Sequence, residues 1–390
     1  MRILFISNYF PGDLGPLARQ LAAAPGNEVL FASNRQRKDY ALDGVRRVRL
    51  KNAPLFGAAA PTVPQLWEET VKRGGGGLRS LLALRQSWGA PDIIFASLAG
   101  GAAFFAPQAF PEAFLVTYAE TGLKNFSLLP EAARGTWSLL QSALFLQARL
   151  CFAFSERQRW LFPEPVRERI HLVPPCVDTG IFSPEAASPW DAGDDAGAGA
   201  AAPLLTLDAA GLEGQRLAAL LGLGRAVLQA LPECRVVMLT ENGNLRQALE
   251  AAAGAWPAVD HRRFAVHASL PFDRYRDLLA ASRLVVCPGA DAAERTLLEC
   301  MSCETLLMAR ATAANFLRPG VNMLELPGAP EAAARAVVLT LAQDRRELAP
   351  VARMARRNVL AHFSEDAVAP AHLARVMQAH AAWKKERGRA

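Results

Sequence analysis

Asp291 and Glu299, separated by AAERTLL and followed by CMSCE, are the side chains of this chain best suited to hold a hydroxylated ligand. A carboxylate offers lone pairs to paired hydroxyls, including in bidentate geometry. Other readings compete with that one. Thr296-Leu-Leu-Glu299 is also a capping box, in which the Glu reaches back to the backbone at a helix start. Asp291 in GADAAER reads equally as a solvated loop acid. Phe10-Pro11-Gly12, with Gly15 just beyond, lets backbone N–H groups approach a bound group near a helix N-terminus, or is a plain strand-to-helix turn. Glu120 follows the apolar run FLVTYA, and Arg216 lies in GQRLAALLG; each is either a ligand contact or an ordinary exposed residue.

Several chemistries are set aside. The histidines show no HxH or HExxH spacing and none precedes His171, which excludes a histidine acid/base in the first half. Asp194-Asp195 lie in a Gly/Ala tract rather than after a strand, so no metal or other cofactor is expected. Cys300-x-x-Cys303 is a single pair inside an expected helix, and the remaining cysteines are scattered behind a start with no secretory signal. That pattern reads as reduced thiols in a cytoplasmic protein. Gly222-x-Gly224 lacks the third glycine of a dinucleotide fingerprint. Lys plus Arg exceed Asp plus Glu by 43 to 37, and a net +6 over 390 residues is not the composition of a nucleic-acid binder. Arg35, Arg37, Lys38, Arg46, Arg47, Arg49 and Lys51 nevertheless gather around the second and third strands. They form either a solvated rim or a contact for an anionic acceptor or an inner-membrane surface. No apolar stretch reaches the roughly 18 residues that span a bilayer.

These residues need a scaffold to position them. RILFIS, the turn-rich NYFPGDLG, a helical segment from Leu17 and then EVLFAS read as a βαβ opening, hence a parallel sheet. PDIIFAS, AFLVTYA, LCFAFS and HLVPP continue the first half, and PLLTL, RVVMLT, RFAVHA, RLVVCP and TLLMAR repeat the plan in the second. The expected fold is α/β, with two Rossmann-like domains facing across a cleft. At 51% hydrophobic and 21% charged residues the chain can fill two cores. The tract SPEAASPWDAGDDAGAGAAAP has linker composition. It sets a first domain at 1–183, a linker at 184–203 and a second domain at 204–366, with a C-terminal helix over 367–390 able to pack back across either domain. Ligands bind beyond the carboxyl ends of the strands of such sheets, so the loops there carry the chemistry.

The run from Asn8 to Val29, with Phe10-Pro11-Gly12 and Pro25-Gly26-Asn27-Glu28-Val29, resembles the opening of family 4 glycosyltransferases. So do Pro91-Asp92-Ile93-Ile94, Ser155 with Arg157 and Trp160, and Val177-Asp178-Thr179. Leu270-Pro271-Phe272-Asp273-Arg274-Tyr275, the segment from Asp291 to Glu299, and Arg318-Pro-Gly320-Val-Asn322 extend the match. The resemblance implies a GT-B enzyme of polysaccharide biosynthesis, working in the cytoplasm and at the inner membrane face. It would move a sugar from a UDP- or GDP-sugar to a hydroxyl of a surface glycan or glycoconjugate, with retention and without a metal. In that frame Glu299 accepts from the ribose hydroxyls, Asp291 faces the sugar, and Arg216, Thr296 and Gly12 complete the donor site, the Gly12 loop also offering the acceptor to the reaction with Glu120. Glu120 is a positioning group, because the departing diphosphate can itself assist the incoming hydroxyl. Closure of the two domains would exclude water.

The departures also carry expectations. Glu304 and Met323 stand where relatives have Gly, and Leu306 where they have Pro or a small residue. The second diphosphate cation expected beyond Arg216 falls near Gly222, with Arg225 as the available substitute. Loss of one preorganised donor lowers a rate by about 100- to 1,000-fold. The alternative to an enzyme is therefore a non-catalytic descendant of the fold that acts as a binding or assembly partner.

Overall fold

The structure, a computed structural model, describes residues 1–36, 39–51, 62–97, 101–119, 131–188, 190, 202–212, 214–240, 243–254, 256–257, 262–268, 270–289 and 294–388. The chain forms two compact units, Met1–Cys176 with Glu365–Ala390, and Val177–Ser364. The first is built on seven strands: β1 (Arg2–Phe10), β2 (Glu28–Gln36), β3 (Val45–Arg49), β4 (Ile93–Ser97), β5 (Phe114–Ala119), β6 (Leu150–Ala153) and β7 (Ile170–Leu172). All pair in parallel, in the order β3-β2-β1-β4-β5-β6-β7. Its helices are α1 (Gly15–Ala23), α2 (Val63–Trp88), α3 (Ala106–Ala109), α4 (Glu131–Gln147), α5 (Glu156–Arg159) and α6 (Glu164–Arg167).

A parallel sheet buries both faces, which is why its strands read as unbroken apolar runs. Leu4, Ile6, Leu30 and Ala32 pack with Leu81, Leu84 and Trp88 of α2. Ile3, Phe5, Val29 and Phe31 pack with Leu17 and Leu21 of α1. On this second face rings from adjacent strands stack in a row. Centroid separations are 5.6 Å for Phe31–Phe5, 4.6 Å for Phe5–Phe95, 6.4 Å for Phe95–Tyr118 and 5.5 Å for Tyr118–Phe152. The strand spacing of about 4.8 Å sets that repeat.

Two elements of this unit oppose sequence propensity. β3 is VRRVR, whose charged side chains are mostly exposed on an edge strand, where charge discourages pairing with another sheet. Helix α2 runs through four consecutive glycines, each costing about 1 kcal/mol relative to Ala. It forms because tertiary contact overrides propensity. A Cβ on Gly74 would lie 2.9 Å from the Phe105 ring, and one on Gly77 would lie 2.2 Å from the Ala102 carbonyl oxygen, so only glycines let the helix lie this close. Thr62 and Gln65 close a capping box at its start.

The second unit carries β8 (Leu204–Asp208), β9 (Arg235–Leu239), β10 (Phe264–His267), β11 (Leu284–Cys287), β12 (Leu306–Ala309) and β13 (Leu324–Glu325). They pair in parallel in the order β10-β9-β8-β11-β12-β13. Its helices are α7 (Gly214–Ala230), α8 (Gly243–Ala253), α9 (Phe272–Ala281), α10 (Glu294–Ser302), α11 (Pro330–Ala342) and α12 (Arg345–His362). Strand order reverses between β1 and β4 in the first unit and between β8 and β11 in the second; these are the switch points where α/β sheets bind ligands.

The chain passes between units at Cys176/Val177 and returns at Ser364/Glu365, whereas composition had drawn the boundaries at 183, 204 and 366. Anchors scattered through the polar stretch explain the earlier crossing. Val177 donates its N–H to Phe363 O at 2.9 Å, Phe182 meets the Phe272 ring edge-on at 5.3 Å, and Ser188 N–H donates to Asp277 Oδ1 at 3.0 Å. Trp190 packs with Leu204, Val237 and Leu278. Of the expected linker, residues 189 and 191–201 lie outside the described residues. The C-terminal helix, α13 (Glu365–Arg387), belongs to the first unit. Val368, Ala369 and Val376 join the α1 face, and Arg19 Nε donates to Glu365 Oε1 at 3.1 Å. Among the described residues no helix is long and apolar enough to cross a membrane.

Candidate functional site

In the second unit the switch point is bounded by Asp208, ending β8, and Cys287, ending β11, with α10 following β11. Glu299 lies on α10 and is 5% exposed. Both of its oxygens are engaged. Tyr275, from α9, donates its hydroxyl to Oε2 at 3.1 Å, and Arg295 Nε donates to Oε1 at 2.7 Å from one turn back along α10. Burial, followed by the charges of Glu299, Cys300 and Asp208, pushes the Tyr275 hydroxyl well above its ordinary range. Tyr275 therefore stays protonated and able to donate. The arrangement fixes a buried carboxylate in one orientation behind the carboxyl edge of the sheet.

The capping-box reading of Thr296 and Glu299 is corrected. α10 is already helical at Glu294, so Thr296 is an interior residue, and the Glu299 carboxylate bonds to Tyr275 and Arg295. Thr296 itself is half-buried. Arg216 is exposed in the first turn of α7, after a β8–α7 connection whose Gly211 (φ 71°) and Gly214 (φ 54°) are left-handed. Arg225, the substitute for the cation sought near Gly222, is exposed well inside α7. At 1.5 Å per residue it lies about 16 Å along α7 from Gly214. Gly224 serves packing, since a Cβ there would meet Leu207 Cδ1 at 3.1 Å. Asp291 and Glu120, the two residues expected at the reaction itself, lie outside the described residues.

The departures from the family pattern are accommodated without loss of the local fold. Glu304 adopts φ 55°, the left-handed conformation that glycine favours, and closes α10 with Thr305 N–H donating to Cys300 O at 3.2 Å. Asn322 staples the RPGVN loop, accepting from Arg318 N–H at 2.7 Å and donating to Phe316 O at 2.9 Å, while Met323 is fully buried. Cys300 and Cys303 are buried. Burial and the nearby Glu299 charge push the Cys303 thiol up to about 12, which argues for packing rather than redox chemistry. No cluster of three or more His, Cys, Asp or Glu residues suited to a metal occurs among the described residues.

In the first unit Gly12 is left-handed at φ 51° and accepts from Gly15 N–H at 3.3 Å. A Cβ on Gly12 would meet Tyr9 O at 3.0 Å, and one on Gly15 would meet Pro11 Cβ at 2.5 Å, so the turn itself demands both glycines. Two members of the basic cluster are held structurally. Arg46 pairs with Glu28 at 3.0 Å, and Arg47 donates to Tyr40 O at 2.8 Å beneath a cation–π contact with Phe10. Arg35 is exposed over the Tyr9 ring, and Arg37 and Lys38 lie outside the described residues. Sequence reasoning missed Tyr275 as a partner of Glu299 and missed the paired carboxamides of Asn8 and Asn34. The spacing of Arg295 and Glu299, one helical turn apart, was a signal for the ion pair.

Comparison with known proteins bears on the family and the fold. Residues 25–125 match the family model described as Glycosyl transferase family 4 group. No curated protein sequence matches. Among solved structures, sucrose-phosphate synthase from Thermosynechococcus elongatus superposes with a TM-score of 0.70 at 17% identity, covering 98% of this chain and 100% of that one. HepE from Anabaena, solved with UDP-glucose, gives 0.65 at 17% identity over 97% and 99%. WaaG, a glycosyltransferase of lipopolysaccharide biosynthesis, gives 0.60 at 14% over 92% and 95%. The fold is that of the GT-B glycosyltransferases, with two Rossmann-like units, and the family 4 match spans the part of the first unit that holds Pro25–Val29 and Pro91–Ile94. None of these comparisons favours a non-catalytic reading.

Proposed function

We propose that this protein transfers a sugar from a nucleotide diphosphate sugar to a hydroxyl of a glycan or glycoconjugate. The observation that carries the reading is Glu299, a buried, oriented carboxylate on the helix that follows β11, at the switch point of the second sheet. A carboxylate so held can accept from both ribose hydroxyls of a nucleotide. The UDP and UDP-glucose bound by HepE support a uridine donor. Arg216 and the N-terminal turns of α7 and α10 would face the diphosphate, where helix N-termini favour anions. Asp291 would face the sugar, and the first unit would take the acceptor through the Gly12 loop and Glu120.

In this reading the transfer is retaining, needs no metal, and relies on the departing diphosphate to receive the acceptor proton. The exposed arginines of β2 and β3 would suit an acceptor carried at an anionic inner-membrane surface, each cation there contributing about 1 kcal/mol. UDP or GDP should raise the melting temperature of the wild type, and Glu299→Ala should abolish that rise. An undiminished rise in the variant would remove Glu299 from the site.

A further inference from the structure

Along one face of the first sheet the apolar rows Leu4–Ile6 of β1 and Leu30–Ala32 of β2 continue, by strand alternation, into Asn8 and Asn34 at the carboxyl edge. Asn34 Nδ2 donates to Asn8 Oδ1 at 3.1 Å. Asn8 is 1% exposed, yet its Nδ2 is buried without a partner, as are Asn34 Oδ1 and Gln36 Nε2. Turning both amides leaves the tally unchanged, with one bond made and one nitrogen and one oxygen unused. Buried polar groups are nearly always bonded in folded proteins, so unmet groups gathered beside a switch point mark a place for a ligand. Gln36, half-buried on the last rung of β2 opposite Phe10, lies two residues beyond Asn34 and so on the same face of the strand.

The chemistry of these groups selects the ligand. A carboxamide presents a donor and an acceptor side by side, which matches vicinal hydroxyls and carries no charge to attract a phosphate. Among the described residues, two cations near this edge are turned elsewhere, Arg35 over Tyr9 and Arg47 over Phe10. We propose that Asn8, Asn34 and Gln36 form a subsite that binds the hydroxyls of a neutral sugar ring, the terminal residue of the acceptor. The assignment rests on the glycosyltransferase reading above.

Saturation-transfer NMR on the full chain, with methyl β-glucoside, methyl β-galactoside and maltose as probes, tests it alongside the UDP melting shift. At least one glycoside should receive saturation from the wild type, and Asn34→Ala and Gln36→Ala should each weaken its binding about tenfold. Both variants should retain the UDP shift; Gln36, only half-buried, can be replaced without disturbing the core. Unchanged glycoside binding in both variants overturns the subsite. So does a wild type that binds none of the probes and shows only ordered water on these atoms in a crystal. A wild type that takes a glycoside but not UDP keeps the subsite and sinks the donor reading.

Discussion

The Tyr118 hydroxyl lies 2.8 Å from Nε2 of His372, tying the C-terminal helix to the row of stacked rings on the first sheet. The His372 ring also sits 4.4 Å from that of Phe152, at the end of the row. Burial pushes the Tyr118 hydroxyl well above its ordinary range and, with Arg375 nearby, pushes His372 down to about 4. Both partners are thus neutral at pH 7, as a dry contact between an aromatic face and a helix requires.

Stability should therefore depend on pH in a defined window. An unfolded histidine titrates near 6.5, so between there and about 4 the unfolded chain binds a proton that the folded chain refuses. The contribution is complete above about pH 6.5 and is lost as pH falls toward 4, amounting to about 3 kcal/mol. Urea midpoints measured across this range should fall with acidity, and His372→Gln should flatten the slope. Some slope will remain, because burial also lowers His171 and His380.

The glycines of α2 should divide sharply by position. Gly77→Ala would drive a Cβ into the Ala102 carbonyl oxygen and should destabilise the first unit by about 3 kcal/mol. Gly75 has no atom within 4 Å of its Cβ position, so Gly75→Ala should stabilise by about 1 kcal/mol through helix propensity alone. Thermal melts of the two variants should move in opposite directions.

The same contrast explains what was legible in the sequence. Strands such as β1, β4 and β11 could be read because both faces are buried and each carries an unbroken apolar run, Ile3–Ile6, Ile93–Ala96 and Leu284–Cys287. β3 was legible only as a charge cluster near the second strand, since the three arginines of VRRVR are exposed while Val45 and Val48 pack on opposite faces of the sheet. α2 was hidden because its glycines are justified by Ala102 and Phe105, residues distant in sequence. The unit boundary was misplaced by Val177, Phe182 and Trp190, anchors too sparse to register against a linker composition. Glu299 and Tyr275 each stand in a segment singled out by motif, yet nothing in either pattern pairs the hydroxyl of α9 with the carboxylate of α10.

Glu304 holds a left-handed backbone that a glycine would adopt freely. Glu304→Gly should raise stability by about 1 kcal/mol, the strain of a non-glycine residue at that conformation, without altering nucleotide binding. A denaturant midpoint that falls in the variant would mean that the Glu304 side chain has a stabilising role of its own.

Glu299 is engaged on both oxygens, so its partners can be tested separately from the carboxylate. Tyr275→Phe removes one neutral hydrogen bond and should lower stability by about 1 kcal/mol. Arg295→Met leaves a buried carboxylate with a single partner. The Arg295 side chain is 21% exposed, so the loss should be smaller than for a fully buried pair, about 2 kcal/mol. If both residues act by orienting Glu299 toward a ribose, each variant should weaken uridine and UDP by the same factor, between about threefold and tenfold. Calorimetric titration of the two ligands decides the point, because a loss confined to UDP would put Arg295 on the diphosphate instead.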